Sequence, residues 1–152
     1  MGCAMNSAKR GVTMNLLHQY DQFRAQFSSL CDALEKCLPT GNDFKIEIAE
    51  KGEISIALEI THRPYLMVFG LWMNEGNALG KATIQRALPQ GNAKELFAIH
   101  FDTLGNVRVP PGEHHLPWPI NSREFIEWLA IEVLDKFFKD LASPDYPMPR
   151  IS

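Results

Sequence analysis

The sequence predicts an α+β fold in which an antiparallel meander sheet of five or six strands carries an N-terminal and a C-terminal helix on one face, as a two-layer sandwich. Apolar residues recur at helical spacing near both ends of the chain, and alternating patterns separated by turn residues fill the middle. The chain has 152 residues, of which 45% are hydrophobic and 22% are charged. This length is enough for one domain with a full core that needs neither disulfides nor a structural metal.

The amino-terminal residues are interpreted separately from the folded domain. The chain divides into a disordered or mis-assigned extension (1–13), a single α+β domain (14–143) and a proline-rich C-terminal tail (144–152). The segment Lys9-Arg10-Gly11-Val12 is typical of a translated ribosome-binding site, which would make Met14 the first residue. The alternative is acylation at Gly2, but that motif requires Ser or Thr where this chain has Asn6. The sequence leaves the start, Met1 or Met14, open.

The first regular element is predicted to be an amphipathic helix from about Met14 to Leu38. Its apolar stripe follows steps of four and three: Leu16, Tyr20, Phe23, Phe27, Leu30, Leu34 and Cys37. Pro39-Thr40-Gly41 ends it, because proline cannot continue the hydrogen-bond ladder. The stripe would also suit a short coiled coil, but about three heptads are barely enough for one, so we favour packing on the chain's own sheet.

The sheet is predicted from residue 44 onward. The strands expected are 44–49, 54–61, 65–73, 78–88, 96–102 and a short 107–109. Most of them alternate apolar and polar residues, but the third is apolar on both sides, so Leu66, Val68 and Trp72 lie on the face opposite Met67 and Phe69. Neighbouring outward positions are too polar to lie under a helix. We therefore expect an open sheet face that is apolar at its centre.

The last helix is predicted to start at Ser122, after Asn121 as the N-cap with Glu124 three residues on. Its apolar arc faces the sheet, whereas Trp128 falls on the charged side. This indole either folds back over Phe125 or serves as a contact anchor for a partner.

Composition and charge exclude several classes of function. Fifteen basic and eighteen acidic side chains are interspersed, so the chain lacks the basic stripe of a nucleic-acid binder. Three cysteines without metal-ligand spacing predict neither a disulfide framework nor a zinc site. The apolar run from Tyr65 to Met73 is about half of what a membrane span needs. We expect a cytoplasmic protein with no cofactor, no metal, no nucleic acid and no membrane partner.

Histidines are the candidate residues for acid–base catalysis or metal binding. A stiff proline-flanked loop presents Glu113, His114 and His115 before Trp118. Because adjacent side chains on an extended backbone point apart, His114 and His115 cannot readily bind one metal ion together. His100 shares a strand face with Asp102, which could orient its ring for acid–base work, although a solvent-facing histidine is the simpler interpretation. Catalytic motifs such as G-x-S-x-G and H-E-x-x-H do not occur.

An arginine falls at an inward strand position. Arg86 shares its strand phase with Ala82 and Ile84, and it is predicted to pair with a carboxylate such as Glu127.

The favoured hypothesis is a non-catalytic protein-binding module of adaptor, chaperone, immunity or inhibitor type. It would bind another protein, or a second copy of itself, through the sheet face. The predicted partner-binding residues are Leu66, Val68, Trp72, Trp118 and Trp128. The alternative is a small-molecule or metal-dependent hydrolytic site built from His100, Asp102, Glu113, His114 and His115.

Overall fold

The computed structural model describes residues 2–74 and 76–147, with the side chains of residues 2–6 excluded. Within these residues a helix is followed by seven strands and a second helix. The helices are α1 (Gly2–Cys37) and α2 (Arg123–Leu141). The strands are β1 (Ile46–Lys51), β2 (Ser55–Ile60), β3 (Arg63–Asn74), β4 (Asn77–Ala87), β5 (Ala93–Phe101), β6 (Asn106–Val109) and β7 (His114–Pro119).

The strands form one sheet in which each pairs antiparallel with its neighbours in sequence, from β1 to β7. The predicted α+β class with an antiparallel sheet and terminal helices is confirmed, whereas the expected number of five or six strands is wrong for the described residues. The additional strand is β7, which the sequence analysis treats as a stiff loop because of its prolines. Pro117 and Pro119 are tolerated there because β7 is an edge strand, where one side of the backbone needs no partner.

The first helix is longer than predicted, because it begins at Gly2 rather than Met14. Adding a residue to an existing helix gains a hydrogen bond without a new nucleation cost, so the helix extends into the preceding segment. From residue 7 onward, where its side chains are described, the first buried one is nevertheless Phe23, and Met14 and Leu17 are exposed. Whether residues 1–13 belong to the translated protein stays a prediction.

The second helix begins one residue later than predicted. Its N-cap is Ser122, whose Oγ accepts a hydrogen bond of 3.2 Å from the backbone N–H of Phe125. The predicted cap, Asn121, instead donates to Ser29 Oγ on α1 at 3.1 Å. The shift follows from the turn before the helix, in which the backbone N–H of Ser122 donates to the carbonyl of Pro119.

The core contains side chains from both helices and from the inward positions of the sheet. Phe69 on β3 lies near Tyr20 and Phe27 of α1, with ring centroids 5.6 and 5.5 Å apart. One small internal cavity is lined by Leu34, Leu38, Ile46, Leu58, Met67, Ile84, Leu129, Ala130 and Val133. The tail is described as far as Pro147, and the predicted tail residues 148–152 lie outside the described residues.

Candidate functional site

The apolar outward side chains of β3 lie where the sequence predicts them. Tyr65, Met67 and Phe69 are buried, whereas the alternate residues Leu66 and Val68 are only partly buried. With Ala57, which pairs with Leu66 from β2, and Trp72 further along β3, they form a patch that we call the outer strip: Ala57, Leu66, Val68 and Trp72. The outer strip is therefore a partly exposed apolar band that lies mainly on β3 and extends onto β2.

The other two predicted partner-binding residues do not belong to this band. Trp118 and Trp128 are partly buried and pack against the hydrophobic core. The Trp128 ring lies 5.8 Å from that of Phe125 and 6.0 Å from that of Phe97, measured between centroids. Of the two interpretations of Trp128, the structure shows the indole folded back over Phe125, which supplies apolar burial.

The exposure of two residues beside Trp72 was not predicted from the sequence. Leu71 and Met73 occupy the last part of β3 and are 41% and 51% exposed. The alternation places Leu71 on the same face as the buried Phe69. It does not indicate that the helices cover Phe69 but not Leu71. Because these residues flank Trp72 in the chain, the carboxyl end of β3 is apolar on both faces of the sheet.

His100 is neither solvent-facing nor oriented by Asp102. It is 2% exposed, its ring stacks on Trp72 with centroids 4.5 Å apart, and its Nδ1–H donates to Glu113 Oε1 at 2.8 Å. The prediction of a half-exposed strand histidine is wrong because the Trp72 indole covers the ring from β3. Glu113 was expected in a loop with His114, but it reaches back across the sheet to His100.

Asp102 has a structural role in the turn between β5 and β6. Its carboxylate accepts hydrogen bonds of 2.9 Å from the backbone N–H groups of Leu104 and Asn106 and from the Asn106 side chain. These bonds form an Asx-type turn that fixes the carboxylate within the β5–β6 connection. The predicted orientation of His100 by Asp102 is therefore wrong.

The remaining histidines are not assembled into a metal site. His114 and His115 are exposed neighbours on β7, pairing with Val109 and Arg108 of β6, so their side chains point to opposite faces of the sheet. His62 occupies a tight turn with φ of 70°. Among the described residues, no group of three or more His, Cys, Asp or Glu side chains could hold a metal ion.

A polar cleft lies beside Trp72 and includes an arginine that the sequence analysis did not select. The cleft has a volume of about 410 Å³ and is lined by Trp72, Asn74, Asn77, Ala78, Leu79, Arg108 and Glu113. Arg108 Nε and Glu113 Oε2 are buried there without a hydrogen-bond partner among the described residues. Arg108 lies opposite both His100 and His115 in the sheet register, an arrangement that strand alternation alone could have indicated.

Arg86 is buried as predicted, but its partner is Asp140 rather than Glu127. Arg86 Nε and Nη2 donate to the two Asp140 oxygens at 2.8 and 2.9 Å, and Tyr65 Oη donates to the same carboxylate at 2.9 Å. Lys94 Nζ lies 3.2 Å from Asp140 Oδ1. Burial raises the pKa of Asp140, but these hydrogen bonds outweigh it and hold the pKa below its ordinary value.

No protein-family model matches the chain, and neither a curated protein nor a solved structure shows significant similarity to it. Within the described residues, neither helix has the length and apolar character required to cross a membrane.

Proposed function

We propose that this protein is a non-catalytic binding module that docks another protein, or a second copy of itself, on the outer strip. The observation that carries this proposal is the partial exposure of the apolar outward side chains of β3, which are Leu66, Val68 and Trp72. Contiguous exposed apolar surface often marks a protein-interaction site.

Both helices packing on the other sheet face would leave the outer strip open. The small core cavity supports this two-layer arrangement, because Leu34 of α1 and Leu129 of α2 line it together with inward-facing Met67. The buried side chains of both helices belong to the same cluster as the inward strand residues. On this arrangement a partner could cover Val68 without displacing a helix.

The sheet edges favour docking on the face over extension by another strand. β1 carries the charged residues Glu47, Glu50 and Lys51, and its pairing with β2 is irregular between Ile48 and Glu50. β7 carries Pro117 and Pro119 on the opposite edge. Charges, bulges and prolines all discourage edge-to-edge pairing.

The surroundings of the outer strip also suit a protein interface. Lys81 on β4 lies 3.4 Å from Glu95 on β5, and Glu59 on β2 lies on the other side. An apolar centre with a polar, partly hydrated rim is the usual anatomy of a protein interface.

The test uses two charge substitutions within the surface and one matched control. Leu66→Glu and Val68→Glu place a carboxylate in the surface, whereas Ile131→Glu does the same at an apolar residue of α2 that is 59% exposed. Sedimentation equilibrium measures self-association, and capture from native lysate followed by purified reconstitution measures binding to another protein. We expect the first two variants to weaken the interaction about tenfold or more, and the control to retain it.

Each variant must first show a cooperative thermal transition. A monomer without a reconstituted partner, or an interaction that tolerates Leu66→Glu and Val68→Glu, would contradict the proposal.

A second candidate function is ligand binding in the polar cleft beside Trp72. The observation that favours it is the pair of unpartnered buried atoms, Arg108 Nε and Glu113 Oε2, because a ligand with both an acceptor and a donor would satisfy them. Trp72 offers an aromatic wall for a planar group. NMR titration with a panel of small amides and nucleosides would test it: shifts confined to Asn74, Asn77 and Arg108 support binding, and their absence across the panel counts against it.

A further inference from the structure

The amino-terminal half of α1 extends beyond the part of the helix that packs on the core. α1 has 36 residues, and from residue 7 onward its first buried side chain is Phe23. Met14 and Leu17 in the preceding half are 51% and 52% exposed. A helix in a protein is stabilised mainly by the packing of an apolar face rather than by intrinsic propensity. This half of α1 therefore gains stability from a partner that covers its apolar side chains.

The two exposed apolar residues belong to a line of side chains that also carries two opposite charges. Residues three and four apart are neighbours on a helix surface. Four exposed residues follow steps of four, three and four, and we call them the second stripe of α1: Arg10, Met14, Leu17 and Asp21. Neither Arg10 nor Asp21 forms an ion pair with another described residue. The second stripe thus has an apolar centre with a free positive end and a free negative end.

The second stripe does not face the protein's own core. At 3.6 residues per turn, the buried residues Phe23, Phe27 and Leu34 lie about 130° around the helix from it. A partner can therefore cover the second stripe while α1 stays packed on the sheet.

The order of residues in the second stripe is self-complementary. Met14 and Leu17 are its inner pair, and the outer pair, formed by the two charged residues, has the same midpoint in the chain. In an antiparallel pair of identical helices related by a two-fold axis at this midpoint, each arginine lies opposite an aspartate and each methionine opposite a leucine. A parallel pair sets like charges against each other at both ends. The charges therefore favour the antiparallel pair of identical chains.

We propose that α1 pairs antiparallel with α1 of a second copy of this chain through the second stripe. Met14 and Leu17 form the apolar centre, and an ion pair between Arg10 and Asp21 closes each end. Interfaces below about 1,200 Å² belong to weak complexes, so a helix contact of this length gives a dimer with a micromolar or weaker Kd. Because the second stripe includes Arg10, the pairing belongs to a chain that carries residues 1–13. It uses a different surface from the outer strip and does not rest on the proposed function.

Charge reversal tests the register of the pair. Arg10→Asp and Asp21→Arg each set like charges at both ends of their own homodimer, so each variant alone should dimerise about tenfold more weakly at low salt. An equal mixture of the two variants should dimerise as the unaltered chain does, because every charge then faces its opposite. The two positions lie about 16 Å apart along one helix, so the recovery cannot arise within a single chain.

Sedimentation equilibrium of the full chain measures the dimer. Lys9→Asp is the control, because it changes the net charge as Arg10→Asp does but lies outside the second stripe, and it should leave the Kd nearly unchanged. A mixture that dimerises no better than the separate variants would overturn the proposal, as would a wild-type chain that is monomeric up to about 1 mM.

A second set of variants tests the apolar centre. Leu17→Glu should weaken the dimer about tenfold or more, whereas Val12→Glu, at a 64% exposed residue on another side of α1, should leave it intact. Both positions are exposed, so both variants should keep the cooperative thermal transition of the wild type. Equal dimerisation of the two variants would contradict the proposal.

The same measurement separates this pairing from docking on the outer strip. Leu66→Glu alters the outer strip and should leave the α1 pair intact. In a mixture of isotope-labelled and unlabelled chain, NMR should show contacts between the Met14 methyl of one copy and Leu17 of the other. Self-association that is lost in Leu66→Glu and kept in Leu17→Glu would assign it to the outer strip and overturn this inference.

Discussion

Asp140 is a buried carboxylate whose hydrogen bonds join the sheet to α2. It accepts from Tyr65 and Arg86, and Lys94 lies within ion-pair distance. Removing one member of a buried pair leaves the other charge desolvated, which costs more than the pair itself contributes to stability. Asp140 should therefore be sensitive to substitution and to acid.

Asp140→Asn should lower the free energy of unfolding by about 3 kcal/mol, because Arg86 would lose its buried counter-charge and keep only the half-exposed Asp145 at 3.1 Å. Urea unfolding followed by circular dichroism measures the loss. Asp135→Asn, which removes only an exposed pair with Lys139, is the control and should change stability little. Equal stability of the two variants would contradict the proposed importance of the buried pair.

The same carboxylates predict the response to acid. Hydrogen bonds from Ser143 and Lys94 lower the pKa of Asp145 to about 2, and the pKa of Asp140 is also lowered. A carboxylate whose pKa is lower in the folded state stabilises the fold above the unfolded pKa and loses that effect as pH falls through the folded value. The free energy of unfolding should therefore decline from about pH 4 toward pH 2.

The acid response is measured by urea unfolding at a series of pH values. Asp140→Asn should flatten the decline, because one of the two titrating groups is gone. A wild-type free energy of unfolding that stays constant between pH 4 and pH 2 would refute the assignment.

The described cysteines on α1 should differ in reactivity. Burial raises the pKa of the Cys31 thiol to about 12, and Cys31 is 2% exposed, whereas Cys37 is only partly buried. The thiolate is the reactive form, so Cys37 should react with a disulfide reagent in the folded protein and Cys31 only after unfolding. Mass spectrometry of labelled peptides from a Cys3→Ser chain measures this. Labelling of Cys31 first would show that the core near β1 opens readily.

At the scale of elements, the contact between β4 and β5 depends on a missing side chain. Gly80 lies beside Phe101, and a Cβ at Gly80 would overlap the Phe101 ring. Gly80→Ala should therefore lower the free energy of unfolding by about 1–3 kcal/mol, the usual cost of overpacking. Gly70→Ala on β3 is the matched control, because nothing lies within 4 Å of the added carbon. Urea unfolding compares them; equal loss would contradict the packing described.

Local patterns predicted the elements better than their ends. The stripe from Phe23 to Leu34 identified α1 because burial follows helical spacing. The α2 cap was assigned one residue early, because Asn121 and Ser122 are both good caps and the choice depends on the turn in which the Ser122 N–H donates to the Pro119 carbonyl. β7 was missed because Pro117 and Pro119 argue against a central strand, and its edge position emerges only from the assembled sheet.

For the whole molecule, the alternation of apolar and polar residues along the strands predicted that Leu66, Val68 and Trp72 face outward and that Arg86 faces inward. Successive side chains of a strand point to opposite faces of the sheet. It could not predict that His100 would meet Glu113. That contact depends on sheet register and on how Glu113 reaches across the sheet. The exposure of Leu71 and Met73 at the end of β3 could not be predicted either, because it depends on how far along the strand the helices pack.

The central claim is that the outer strip is an open surface in the single molecule and is covered only by a partner. Methyl NMR with a soluble nitroxide tests it most directly, because the reagent broadens only groups it can approach. In dilute protein, Leu66 and Val68 should be broadened while Ile56 and Met67 on the other face are spared, and adding partner or raising concentration should protect them. Leu66 and Val68 methyls as well shielded as Ile56 in dilute monomer would contradict the account.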